Sequence, residues 1–324
     1  MSETNVQYRQ IGTSDLKTSV VSLGSYQTYS RMEYRDVVNL VRRAADLGIN
    51  LFDVAHYRTA PHTEVVLSRA LRDAGLKRAD IMIMDKVWWY DGDNPTLGHQ
   101  LDELLFRLDT DYLDVIMCYG MRPGRDDPAE TARINAGFVT SGKARAWGGL
   151  NWSAKDLRIA YDTCKAEGLP TPQIVQLKYN IARRHIVEAD DYTALRAETG
   201  ISIHASDSLE GGILAGNMVR ERVLGRDPGN VREEIIDLVP RLAEVAKQFD
   251  CSMAQLAIAF CIANPQTASL LFGASRISQL EDNVGAVAIA EKHGEAIRAA
   301  LADFGVEGHA FDLPPNHATP LTTS

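Results

Sequence analysis

The sequence predicts a (β/α)8 TIM barrel in one domain spanning residues 1–324. Three observations point there. Eight short apolar runs alternate with longer amphipathic segments. The runs are rich in Ile, Val and Leu on both faces, as buried parallel strands are. The rival architecture, an open doubly wound sheet, announces itself with G-x-G-x-x-G after its first strand. Here the first run is followed by Gly24-Ser-Tyr-Gln-Thr-Tyr-Ser instead. A chain of 324 residues lies within reach of one such barrel.

The expected strands are 19–23 (SVVSL), 49–53 (INLFD), 81–85 (IMIMD), 113–118 (LDVIMC), 144–149 (ARAWGG), 173–176 (QIVQ), 201–205 (ISIHA) and 268–272 (ASLLF). Helical spacing covers 34–47, which stops at Gly48, and 63–74, which stops before Gly75. Glycine just past a helix is the usual C′ residue. Further helices are expected over 94–108, 128–140, 154–166 and 190–197. Two consecutive ones follow at 233–249 and 252–263, and two more, 279–288 and 291–301, come after the last strand. From about residue 305 the chain is aperiodic and reads as a loop or tail.

Composition narrows the function classes. Apolar residues make up 45% and charged residues 24%, ordinary for a globular protein able to bury a large core. The net charge of −9 argues against nucleic acid as a partner, because phosphate binding needs a basic face. Cys118, Cys164, Cys251 and Cys261 are scattered without metal-type spacing. They read as free thiols in a reducing compartment, and no metal site is expected. The first ten residues lack an apolar h-region, and no run approaches the roughly 20 apolar residues of a membrane span. A cytoplasmic protein acting on a small molecule is the expectation. Self-association stays open.

In a barrel of this kind, active sites gather at the C-terminal ends of the strands. Those positions carry Ser25 and Tyr26, Asp53 with Tyr57 and Arg58, Asp85 and Lys86, Tyr119, Asn151, Gln176, Ser206 and Asp207, then Gly273-Ala-Ser275-Arg276. Each alone has an ordinary explanation as a helix cap or a surface group. Together they form a coherent acid. A carboxylate beside an ammonium keeps it charged and in place. A charged lysine near a tyrosine lowers the phenol pKa from about 10, which makes a better proton donor. His204 reads as a core histidine, whereas His56 and His62 lie on a loop that faces the mouth.

Seven segments in this order resemble the aldo-keto reductase family: SLGSYQT, INLFDVA, DTDYLDVIM, SGKARAWGGLNWS, QIVQLKYN, GISIHASDSLEGGILAG and LLFGASRISQLEDNVGA. The resemblance covers nearly the whole chain. It implies NADPH bound without a Rossmann fold. It assigns Asn151 and Gln176 to the nicotinamide carboxamide. Ser25, Tyr26 and Ser206 line the same mouth. Leu209 and Gly212 border the pyrophosphate. Gly273, Ser275, Arg276, Gln279 and Asn283 grip the adenosine end. That last group also makes independent sense, since a helix N-terminus favours anions and arginine binds phosphate in bidentate fashion.

The catalytic tetrad departs from the family pattern. Asp53 and Lys86 match. The tyrosine slot, five residues after the aspartate, holds Arg58, and Tyr57 comes one residue early. The histidine slot holds Tyr119. Leu150 replaces a serine that helps hold the carboxamide, and Ser206 replaces the stacking aromatic. Three readings follow. The first is an NADPH-dependent oxidoreductase with a modified acid/base site, reducing a carbonyl, imine or activated alkene. The second is a non-redox lyase, dehydratase or epimerase using Arg58, Lys86 and Tyr119. The third is a regulatory nucleotide-binding protein, as some relatives resembling potassium-channel β subunits are.

Overall fold

The apolar runs pair in the order the alternation demands. The computed structural model describes residues 6–26, 28–56, 62–89, 96–119, 126–218 and 231–306. Eight parallel strands close into a barrel: β3 (Val21–Gly24), β4 (Leu51–Asp53), β5 (Met82–Trp88), β6 (Leu113–Tyr119), β7 (Ala144–Leu150), β8 (Ile174–Lys178), β9 (Ser202–Ser206) and β10 (Thr267–Gly273), which pairs back onto β3. The fold is the predicted (β/α)8 barrel. Helices wrap it: α1 (Tyr34–Asp46), α2 (Thr63–Asp73), α3 (Leu97–Leu108), α4 (Pro128–Thr140), α5 (Ala154–Glu167), α6 (Arg184–Val187), α7 (Asp190–Thr199), α8 (Val231–Gln248), α9 (Met253–Ile262) and α10 (Ile277–Ala300). Among the described residues, no helix is long and apolar enough to cross a membrane.

Strand side chains alternate between two layers. On β5, Ile83 and Val87 join the large cluster between sheet and helices, whereas Met82 and Met84 face the barrel interior. Lys86 therefore points inward and Asp85 outward. Gly148 answers a packing need between β7 and β8, since a Cβ there would stand 2.0 Å from the Ile174 carbonyl oxygen.

Three features depart from the sequence expectation. A hairpin, β1 (Tyr8–Gln10) with β2 (Lys17–Ser19), precedes the barrel. Ser19 belongs to it and not to the first barrel strand. The hairpin's turn plugs the barrel floor with Ile11 and Leu16, which pack on Leu51, Met82, Val115 and Ile174. The two helices expected after the last strand are one, α10. Its two glycines are packing points: a Cβ on Gly294 would stand 3.0 Å from the Cβ of Ala263, the residue that caps α9. Finally, the tail expected from about residue 305 starts out packed. Phe304 and Val306 are buried, and the Val306 N–H donates to the Ala182 carbonyl.

Candidate active site

Asp53 ends β4 and Lys86 sits on β5, both facing inward and nearly fully buried (3% and 5% exposed). The Lys86 Nζ lies 2.5 Å from Asp53 Oδ2 and donates to the Val54 carbonyl at 2.8 Å. The carboxylate can only accept, so the amide nitrogen of Gln176, 3.2 Å away, must be the atom facing it. That same nitrogen donates to His204 Nδ1 at 2.8 Å. The ring proton is thereby placed on Nε2, which donates to Ser22 Oγ at 2.9 Å, and Ser22 donates to the Leu270 carbonyl at 3.1 Å. Five groups from five strands thus form one connected chain, with Lys86 and Gln176 both donating to Asp53. Burial pushes the His204 imidazole down to about 4, Lys86 adds to the effect, and Asp53 opposes it. His204 is the core histidine that was expected, and it also orients Gln176. Both N–H groups of Gln176 are spent inside the protein, so the carbonyl oxygen is what it offers a ligand.

Asp85 does not belong to the rim. It points through the barrel wall toward α2 and α3, fully buried. Its Oδ1 accepts from the Lys86 backbone N–H at 2.7 Å, and among the described residues its Oδ2 has no hydrogen-bond partner. Burial, and then the nearby Glu64 charge, hold this carboxyl well above the usual range. Glu64 is itself buried and paired with Arg107, and His56 Nδ1 approaches it at 3.5 Å. His56 thus lies beside this outer carboxylate, and among the described residues its Nδ1 has no hydrogen-bond partner. His62 immediately precedes α2 and is exposed.

Tyr119 ends β6 at the mouth, its ring centroid 4.5 Å from that of Trp88. Its phenol departs from the expectation of an acidified tyrosine. Burial raises its pKa, a hydrogen bond with Asn151 opposes this, and the Asp207 charge adds to it. Lys86 is committed to Asp53 and Val54 instead. Asn151 holds a left-handed φ of 57°, which asparagine tolerates. Leu150 is buried against the inner cluster. Ser206 ends β9, and Asp207 Oδ2 lies 3.8 Å from Lys178 Nζ. Lys178 was missed in the sequence, although strand parity with Gln176 two residues earlier puts it on the inner face. Tyr29 was missed too. It is fully buried with Asp53's charge nearby, and among the described residues its hydroxyl has no hydrogen-bond partner. Tyr57 and Arg58 lie outside the described residues.

Around the remaining mouth, Ser25 is buried with its N–H donating to the Asp53 carbonyl, and Tyr26 is exposed. Just before α10, the Ser275 N–H and hydroxyl both donate to Gln279 Oε1 at 3.1 Å, which ties the approach to the helix onto its first turn. Gly273 and Arg276 stand exposed beside it, and Asn283 is buried one turn further on.

The family model for aldo/keto reductases matches residues 20–301. The chain belongs to that family. It is 30% identical to a protein of Arabidopsis thaliana described as a probable voltage-gated potassium channel subunit beta, over 87% of this chain and 91% of that one. A protein of Oryza sativa subsp. japonica with the same description is 29% identical over the same shares.

For an aldo/keto reductase, the fit to a nicotinamide dinucleotide rests on two features of this chain. A 24-residue helix opens at Ser275 and Arg276 with an exposed guanidinium. At the other end, Gln176 and Asn151 present polar groups at the barrel mouth. The residues therefore fit the group, with two alterations: Leu150 supplies no hydroxyl for the carboxamide, and Ser206 supplies no aromatic face for stacking.

Proposed function

We propose that this chain is an NADPH-dependent oxidoreductase that reduces a carbonyl, imine or activated alkene on a mid-sized organic molecule. The observation that carries the reading is the chain of hydrogen bonds from Lys86 through Asp53 and Gln176 to His204 and Ser22. It fixes a buried ammonium at the floor of the mouth, where a strand-end acid would need it. The bound cofactor would supply hydride to the electrophilic carbon. Lys86, held by two acceptors, keeps a third N–H for the proton donor. Tyr119 stays protonated at neutral pH because burial raises its pKa. It donates a hydrogen bond toward the substrate heteroatom, the part an imidazole plays elsewhere in the family, and Trp88 holds its ring. Tyr57, Arg58 or Tyr119 would supply the proton. The network would accordingly stabilise the charge that develops on the substrate oxygen or nitrogen.

The test is a fluorescence titration with NADPH and NADH, followed by NADPH oxidation across aldehydes, ketones, imines and enones. Absence of binding would sink the reading. The relatives' description favours a second one, a regulatory subunit that holds the nucleotide and docks on a channel. Tight NADPH binding with no turnover on the panel would favour it.

A further inference from the structure

The loop after β9 runs from Asp207 to Gly216. Five of its ten residues have left-handed backbone: Asp207 (φ 50°), Glu210 (φ 48°), Gly211 (φ 67°), Gly212 (φ 101°) and Gly216 (φ 86°). Glycine adopts this conformation freely. Asp207 and Glu210 do not, and such residues persist only where their surroundings over-determine them.

The surroundings here are specific. The Glu210 side chain is buried, and its two oxygens accept from Arg183 Nε and Nη2, both at 2.8 Å. Asn180 Nδ2 donates to Glu210 Oε2 at 2.8 Å and to the Asp207 carbonyl at 2.9 Å. One asparagine therefore ties down both strained residues. Its Oδ1 accepts from the Ala182 and Arg183 backbone N–H groups at 2.9 Å, which fixes the segment that carries Arg183. A planar fork meeting a carboxylate in this way is strong and directional. The pair takes no part in the Lys86 network.

We propose that Arg183 and Glu210 are positioning residues that hold this loop in its ligand-ready shape before a dinucleotide arrives, and so set the affinity for its pyrophosphate end. The ligand's identity rests on the oxidoreductase reading above. The positioning itself does not. Preorganisation raises affinity by removing an ordering cost that binding would otherwise carry. Without the pair, Asp207 and Glu210 relax, and Leu209 and Gly212 lose their fixed places.

The test measures NADPH and nicotinamide mononucleotide (reduced) binding to the wild-type protein, E210A, E210Q and the double variant R183M/E210M. Amide hydrogen exchange of residues 207–217 is followed in each. The double variant covers the case in which E210A fails to fold, because replacing both members of a buried pair is better tolerated than removing one. In E210A and the double variant, NADPH Kd should rise at least tenfold, the mononucleotide should change less than twofold, and loop exchange should accelerate at least tenfold. E210Q, which keeps one acceptor for Arg183, should fall between. Wild-type NADPH affinity in the variants, or equal losses for both nucleotides, would overturn the proposal. If the wild-type protein binds neither nucleotide, the oxidoreductase reading fails, and exchange alone decides: faster loop exchange in the variants supports positioning by the pair, and unchanged exchange refutes it.

Discussion

Replacing Lys86 by methionine removes an ammonium that touches little but protein. Its partner Asp53 is 3% exposed and, among the described residues, its side chain would keep only the Gln176 amide, 3.2 Å away. At 2.5 Å and an effective dielectric of about 20, the gross attraction in the Lys86–Asp53 pair is ~7 kcal/mol. Most of this offsets the desolvation of two charges. Breaking one side of a buried pair leaves the other's desolvation uncompensated and costs about 3–5 kcal/mol. The expected loss for K86M is therefore about 4 kcal/mol at pH 7. Urea unfolding measures it, provided the slope with denaturant is unchanged. The double variant K86M/D53L should recover most of the loss, because no charge is then left buried. A K86M loss below about 1 kcal/mol would mean that the pair behaves like an exposed one, and the argument from burial would be wrong.

Other outcomes follow from the same geometry. His204 is neutral in the folded protein down to about pH 4, while the unfolded chain takes its proton near 6.5. Its contribution is therefore complete above pH 6.5 and is lost as pH falls toward 4, so the stability advantage of wild type over H204Q should shrink by about 3 kcal/mol across that window. Equal wild-type and H204Q pH profiles would refute this. Asp85 titrates the opposite way: its folded pKa is raised, so its cost appears as pH rises above the usual carboxylate range. D85N should be more stable than wild type at pH 7 by about 1 kcal/mol or more, with the gain gone below about pH 4. A D85N protein no more stable than wild type at pH 7 would count against a raised Asp85. If the oxidoreductase reading holds, Y119F should lower kcat by roughly 10- to 100-fold and leave NADPH affinity unchanged. Full activity in Y119F would remove Tyr119 from the site.

Much of the barrel was legible because its signal is local and repeated. Period and length set the eight strands, and the Gly48 and Gly75 stops set helix ends. Asp53 and Lys86 were found because strand ends in this fold are where polar groups gather. Legibility failed where a residue's meaning depends on which wall it faces. Asp85 and Lys86 are neighbours with the same rim address, yet pleating sends one into the mouth and the other behind it. The last helix was expected to break at 289–290, yet it runs through, with Gly285 packed against Gln255 and Gly294 against Ala263. Lys178 sat inside QIVQLKYN but past the strand end expected at 176, Tyr29 lay outside every motif, and both were passed over.

From order and spacing alone, the chain determines a barrel, a family, and a carboxylate and a lysine at adjoining strand ends. The tertiary structure decided the protonation logic. It made Gln176 a donor to both Asp53 and His204, bound Lys86 to Asp53 and Val54, and raised the Tyr119 phenol. The reason is that a pKa depends on burial and on charges a few ångströms away, and those neighbours come from strands far apart in sequence.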